Sequence, residues 1–417
     1  MKQIANAVIA AAAAFNLAAA DAEEWFEDAK LGMFVHFGIY AVDGQGEWAM
    51  YRNGISPEAY ARRAATWNPA PGCEERWVEM AKDAGFRYMV LTARHHDGFS
   101  LWDTKTDPFN SMNTPAKRDH VRAYVEACRK HGVKAGLYFS LVDWRLRDKD
   151  PEKMRAKSLA QLEELMTKYG KIDVLWYDGA WTPKGKTHAE FWDSTNLNAR
   201  VRSWQPGILM NDRAGVSEDF RTIEGRNIPR PPKGATKWES CITLQDDDWS
   251  FWGWCRYTAF RKTPEQVLCQ LLHCLELGGN LLVNIGPDAN GGVDGWQRDL
   301  FAKLGGWVRR NADAVYGTRP TEIATTHPLA HGWTGNSCGF FTVRPGTDDA
   351  YLFFHAWPGT ETTFPHFTAE VKAIELNGRP VAFVQDLAAK RLTLTGLPAA
   401  APDPLCTVLR MKLGGKR

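Results

Sequence analysis

From about residue 25 to residue 315, short apolar runs alternate with longer stretches of helical period. The strand-like runs are Gly32–Phe37, Phe86–Thr92, Val133–Ser140, Ile172–Tyr177, Gly207–Met210 and Asn280–Ile285. Several are almost unbroken in apolar residues, as expected where helices cover both faces of a sheet. The helical pattern falls on Glu74–Ala84, Lys117–His131, Pro151–Tyr169 and Thr263–Leu277. Gly132, Gly170 and Gly278-Gly279 stand where these would end, and Pro151 and Pro264 stand where two would begin. Repeated strand-then-helix order predicts a parallel sheet, and this many units predict a (β/α)8-like TIM barrel. After about residue 320 the period changes from helical to alternating. Gly339–Val343, Ala350–His355, Glu370–Leu376, Arg391–Leu394 and Thr407–Leu413 read as short strands, separated by turn residues such as Asn377-Gly378. That tail reads as a small C-terminal antiparallel β-sandwich. The expected division is a barrel over residues 21–318 and a sandwich over residues 319–417.

Residues 1–20 carry a lysine, an Ala-rich apolar run and small residues at the end, the pattern of a secretory signal peptide. This predicts a secreted or periplasmic protein. The alternative is an N-terminal helix packed on a cytoplasmic fold, since Ala is the best helix former. None of the eight cysteines forms a C-x-x-C pair, which argues against a zinc ribbon or redox motif. Cys269 and Cys274 fall in an apolar helical stretch and read as buried thiols. The formal charge of +2 offers no basic excess to release counterions, so nucleic acid is not an expected partner, and no stretch is a convincing membrane span. The 18 Trp, 11 Tyr and 20 Phe suit either a large core or a cleft for ring-shaped ligands such as sugars.

In a barrel, chemistry sits at the C-terminal ends of the strands. Polar residues directly after apolar runs are therefore the candidates. Asp178 follows IDVLWY, with Gly179 after it, and His36 ends GMFVH. His95-His96-Asp97 follow FRYMVLTAR, and adjacent histidines suit hydroxyl binding better than joint chelation. Asn211-Asp212-Arg213 follow GILM, and Arg213 can hold a carboxylate. Glu47, Glu224 and Glu239 are acids in loops flanked by aromatic residues or glycine. Trp48, Tyr138, Trp176, Tyr177, Trp252 and Trp254 fall at the same strand ends and loops. Two or more carboxylates with histidines and aromatics at one rim fit glycoside hydrolysis. No metal or cofactor is expected, and no nucleophile elbow or P-loop is present.

The sequence resembles the α-L-fucosidases of glycoside hydrolase family 29. The likeness rests on WFEDAKLGMFVHFGIY, GEW, ARHHDGFSLWDTK, NSMNTPAKRD, LYFSLVDW, DVLWYDG, NDR and GGNLLVNIGPDANG, which follow the family's order through most of residues 25–315. The resemblance implies a retaining exo-glycosidase that removes terminal α-L-fucosyl groups from fucosylated glycans by double displacement, without a cofactor. It implies Asp178 as the nucleophile, and Glu224, in FRTIEG, as the acid/base, with Glu239, in KWESC, as the other choice. It implies that His36, Glu47, Trp48, His95, His96, Tyr138, Trp176, Arg213 and Trp252 bind the sugar. The acid is expected in a dry setting, and Phe34, Phe37 and Trp252 are candidates to receive the sugar's methyl group. A related enzyme with another sugar preference, such as an α-L-galactosidase, and a non-catalytic fucose-binding protein are the alternatives.

Overall fold

The computed structural model describes residues 24–225, 229–245, 249–251, 261–321, 323 and 339–417. The segment 1–20 and Trp252 and Trp254 lie outside the described residues, so the leader reading and the placement of Trp252 do too.

Eight parallel strands make one sheet: β1 (Leu31–Val35), β2 (Tyr88–Arg94), β3 (Lys134–Ser140), β4 (Val174–Asp178), β5 (Leu209–Met210), β6 (Arg221–Glu224), β7 (Trp238–Ile242) and β8 (Asn280–Ile285). Their order is β5-β4-β3-β2-β1-β8-β7-β6. A parallel bridge between Asn211 and Phe220 joins the two ends and completes the ring. This is the TIM barrel that the alternation predicts. Outside it run α1 (Cys73–Asp83), α2 (His120–His131), α3 (Pro151–Lys168), α4 (Ser194–Trp204), α5 (Pro264–Leu277) and α6 (Gly295–Arg310).

Helix ends follow local chemistry. The Asp119 side chain accepts from the Arg122 amide to start α2, and Gly132 stops it with φ 70°. Thr263 and Gln266 form a reciprocal capping box at α5, which ends at Gly278 with φ 76°. Among the described residues no long helix follows β5 or β6, which leaves that side of the barrel to loops.

The strands put apolar residues on both faces. Outward-facing Leu31, Met33 and Val35 of β1 join the helices in one core. Inward-facing Phe34, Tyr88, Val90, Tyr138, Val174, Trp176, Leu209, Cys241 and Leu282 fill the barrel itself. A strand's side chains alternate with period two. The inward row therefore continues from Phe34 to His36, from Val174 and Trp176 to Asp178, and from Leu282 to Asn284.

The tail forms two antiparallel sheets. One holds β9 (Arg319–Pro320), β10 (Gly339–Val343), β11 (Asp349–Phe354), β13 (Val371–Leu376), β14 (Arg379–Pro380) and β17 (Val408–Leu413). The other holds β12 (Glu361–Pro365), β15 (Ala382–Asp386) and β16 (Arg391–Thr395). They enclose a separate core that includes Leu352, Phe364, Leu392, Leu394 and Leu409, which is the expected β-sandwich. Its docking to the barrel includes the Trp307 indole of α6, which donates to the Cys406 carbonyl at 2.7 Å.

Candidate active site

The ends of the inward rows meet at one cavity of about 410 Å³, a size suited to a monosaccharide. His36, Trp48, His95, His96, Tyr138, Trp176, Asp178, Arg213 and Glu224 all line it, as do Phe34, Trp181, His188, Asp212 and Trp249. Sequence reasoning did not single out Trp181, His188 or Trp249. Trp181 belongs to the loop that follows Asp178, His188 opens the short helix His188–Trp192 after that loop, and Trp249 precedes the SFWGW segment.

Asp178 is the last residue of β4, opposite Ser140 in the ladder. One of its oxygens accepts from the Tyr138 hydroxyl at 2.9 Å, and the other from Arg213 Nη1 at 3.3 Å. His96 Nε2 lies 3.6 Å from the first oxygen. Burial would raise the pKa of this carboxyl, but the Arg213 charge, the Gly179 amide and the Tyr138 hydroxyl outweigh it and hold it below the usual carboxylate range. Asp178 is thus an anion at neutral pH. Gly179 has φ 62°, and a Cβ there would lie 2.8 Å from His96 Nδ1 and Ser140 Oγ. Glycine is therefore required both by the turn and by the close packing behind the carboxylate.

Arg213 joins the two acids. Its Nη2 donates to Glu224 Oε2 at 2.7 Å while Nη1 serves Asp178. Its Nε donates to Thr222 Oγ1 at 2.9 Å, and its guanidinium lies 4.5 Å over the Trp176 ring. The guanidinium is thus fixed from behind and shared between two carboxylates rather than chelating one. Glu224 ends β6 with its side chain 44% exposed. The dry setting expected for the acid is absent there, since among the described residues no long helix follows β6.

The dry acid is Glu239. It sits one inward step before Cys241 on β7, deep in the barrel and fully buried. Tyr88 and the Trp176 indole both donate to it, the latter at 2.9 Å. Burial pushes its carboxyl up to about 7. It is outside the cavity wall, so the structure separates the two acids that sequence left open: Glu224 faces the cavity and Glu239 stands beneath Trp176.

The three histidines differ in their partners. His36 Nδ1 pairs with Asn284 Oδ1 at 2.7 Å, while the Asn284 amide donates to the Trp249 carbonyl. His36 therefore carries its proton on Nδ1 and keeps Nε2 as an acceptor. The His96 Nδ1 lies 2.7 Å from Ser140 Oγ, whose own proton goes to the Val142 carbonyl. That again leaves Nε2 as an acceptor. Burial lowers His36 to about 3 and His96 to about 4, and holds His95 well below the ordinary value. All three are neutral near pH 7. His95 Nδ1 is buried without a hydrogen-bond partner among the described residues. Neutral, preset imidazoles of this kind recognise hydroxyls without needing a charge.

Not every sequence candidate reaches the wall. Glu47 is buried behind it, with Oε2 accepting from the Ser250 amide at 3.0 Å, and it braces the loop that carries Trp249. Asp97 points away to the Tyr60 hydroxyl and the Phe99 amide. Phe37 packs among Trp67, Trp77 and His120 in the outer core and so cannot receive a methyl group from the cavity, whereas Phe34 is in the wall. Cys274 is buried as expected, but Cys269 is exposed because it lies on the outer side of α5.

The family model for α-L-fucosidase matches residues 4–313. The chain is 28% identical to the tissue α-L-fucosidase of Mus musculus over 369 residues, covering 80% of this chain and 78% of the relative. It is 27% identical to the plasma α-L-fucosidase of Homo sapiens over 402 residues, covering 86% and 83%. Among solved structures, α-L-fucosidase isoenzyme 1 of Paenibacillus thiaminolyticus superposes with a TM-score of 0.83 at 29% identity, over 95% of this chain and 100% of that one. With a match across the whole barrel and a cavity built from the barrel's strand ends, the chain belongs to the α-L-fucosidase family, glycoside hydrolase family 29.

Proposed function

We propose that this α-L-fucosidase cleaves terminal α-L-fucosyl groups from fucosylated glycans with retention, using Asp178 as nucleophile and Glu224 as acid/base. The observation that carries the reading is the single guanidinium of Arg213, which holds an oxygen of each carboxylate in one cavity. Retention needs two carboxyls about 5–5.5 Å apart, close enough to serve the same sugar carbon from opposite sides.

In the first step an Asp178 oxygen attacks C1 of the fucosyl ring. The bond from C1 to the leaving oxygen breaks, and Glu224 supplies the proton that this oxygen takes. In the second step Glu224 removes a proton from water, the water oxygen bonds to C1, and the bond to Asp178 breaks. Arg213 and Tyr138 favour the anionic Asp178 that both steps require. His36, His95 and His96 hold the sugar hydroxyls, and Trp48, Trp176 and Trp249 present flat faces to the ring. Phe34 offers an apolar surface for the methyl group. The exposed Glu224 becomes dry only when the glycan covers it, which couples proton delivery to substrate binding. Glu47 supports the reading as a brace for the wall rather than as a sugar ligand. Export through residues 1–20 belongs to the same proposal, and among the described residues no helix is long and apolar enough to cross a membrane.

The test is hydrolysis of a panel of fucosylated oligosaccharides and an aryl α-L-fucoside, with the first-formed anomer followed by NMR. The proposal expects α-L-fucose as the initial product. Initial β-L-fucose contradicts retention. Binding of fucose without release marks a lectin, and a preference for the L-galactoside marks another sugar specificity.

A further inference from the structure

Away from the cavity, one stripe of α5 reads C-x-x-x-H-x-x-E, with Cys269, His273 and Glu276 on successive turns of one face. His355, directly after β11 of the sandwich, meets this stripe. His273 Nδ1 and His355 Nε2 approach the same oxygen of Glu276, at 3.7 and 3.6 Å. A donor atom from each of the three residues lies within 4.8 Å of the other two. The two imidazoles stand 5.4 Å apart with a tilt of 31°, and the Phe340 ring backs His355 at 5.1 Å. Cys269 stands one turn before His273 on that face, outside this group of three.

These separations are too long for hydrogen bonds, which end near 3.2 Å for N–H···O. They are close to the spacing, about 3.4 Å, that two donors take up around a tetrahedral ion with bonds of about 2.1 Å. Among the described residues the ion-pair partners of Glu276 are these two histidines, so no lysine or arginine fills the gap. The three side chains are 23%, 24% and 25% exposed, which leaves an entry path. Two other His/acid groups lack these features. Glu74 and His120 are already in direct contact beside Arg118, and Glu75 is taken by Lys130.

We propose that His273, Glu276 and His355, with Cys269 as fourth ligand, form a Zn2+ site that clamps the C-terminal sandwich to helix α5 of the barrel. Two imidazoles, one carboxylate and one thiol suit this borderline-soft ion, and four protein ligands mark a structural site rather than a catalytic one. The ion would replace the gap with bonds between two domains that are remote in sequence.

The test uses the full chain, stripped with a chelator and titrated with Zn2+, with bound metal measured by mass spectrometry and thermal unfolding followed in parallel. One Zn2+ per chain is expected, with a rise in Tm. His355→Gln and His273→Gln should each weaken binding by at least about 100-fold and remove the rise. Both variants should still hydrolyse the aryl α-L-fucoside, which shows that they are folded. With Co2+ in place of Zn2+, a thiolate-to-cobalt absorption band is expected, and Cys269→Ser should abolish it. Lack of stoichiometric binding by the parent chain, or undiminished binding in the two folded histidine variants, overturns the site. A band unchanged in Cys269→Ser overturns the fourth ligand.

Discussion

Replacing Arg213 by methionine removes one charge from between two carboxylates while keeping an apolar stem against Trp176. Arg213 Nη1 is 3.3 Å from Asp178, and the two side chains are 22% and 25% exposed. Two unit charges about 4 Å apart interact by about 4 kcal/mol at an effective dielectric constant of about 20. That ceiling corresponds to about 3 pKa units. Partial exposure and the remaining bonds from Tyr138 and Gly179 reduce it, so a rise of about 1–2 units is expected for Asp178. The sign follows from the chemistry. Asp178 attacks as an anion, its carboxyl is held low in the parent, and loss of the guanidinium lets it protonate at higher pH. The assay is kcat/KM for an activated aryl α-L-fucoside from about pH 3 to about pH 8, because kcat/KM reports groups of the free enzyme. A good leaving group makes the proton from Glu224 unimportant and isolates the acidic limb. That limb should move up by about 1–2 units. An equal loss at every pH, with the limb unmoved, would refute the claim that Arg213 keeps Asp178 ionised and leave it only a positioning role.

Three further outcomes follow from the same geometry. Glu224→Ala should slow substrates with poor leaving groups by about 10²–10⁴-fold and activated aryl fucosides far less; equal losses on both would move the acid role elsewhere. Gly179→Ala places a Cβ against His96 and Ser140 at φ 62°, and should lower kcat/KM by about 100-fold through displacement of Asp178; kinetics like the parent's would show that the turn tolerates a side chain. Glu239→Gln tests the buried acid: its carboxyl is raised from 4.5 to about 7 in the fold, so its ionisation weakens the parent increasingly between those values, by on the order of 3 kcal/mol in all. The Tm of the variant minus that of the parent should therefore grow as pH rises through this window, and a difference independent of pH would contradict the assignment.

Much of this was legible in the chain. The six strands read from apolar runs are all present, and Gly339–Val343 and Asn280–Ile285 match to the residue. Strands β6 and β7 escaped notice because RTIE and WESC place charged and polar residues on the inward face, where an apolar run was sought. Helix α4 has few apolar positions, and α6 carries Gly305-Gly306, which looks like a break. Gly305 is there because α6 packs so tightly on Ala84 that a Cβ would lie 2.6 Å from its Cα. At the site, strand ends pointed to His36, His95, His96, Tyr138, Trp176 and Asp178, since period two fixes which residues face inward. The setting of the acids was not legible. Whether an acid is dry depends on which loops cover the rim, and that depends on contacts far apart in sequence. Hence Glu224 proved exposed, Glu239 buried in the barrel, and Glu47 buried against the Ser250 amide. Trp181 and His188 carried no signal beyond following the YDG turn.

The central claim is that Asp178 forms a bond to the sugar. A 2-fluoro-fucosyl fluoride slows the second step and allows that bond to accumulate, and digestion with peptide mass mapping then locates the label. The account predicts one fucosyl-sized adduct on the peptide containing Asp178, absent from Asp178→Ala, whose turnover added azide should partly restore. An adduct on another carboxylate, or full activity in Asp178→Ala, would contradict it.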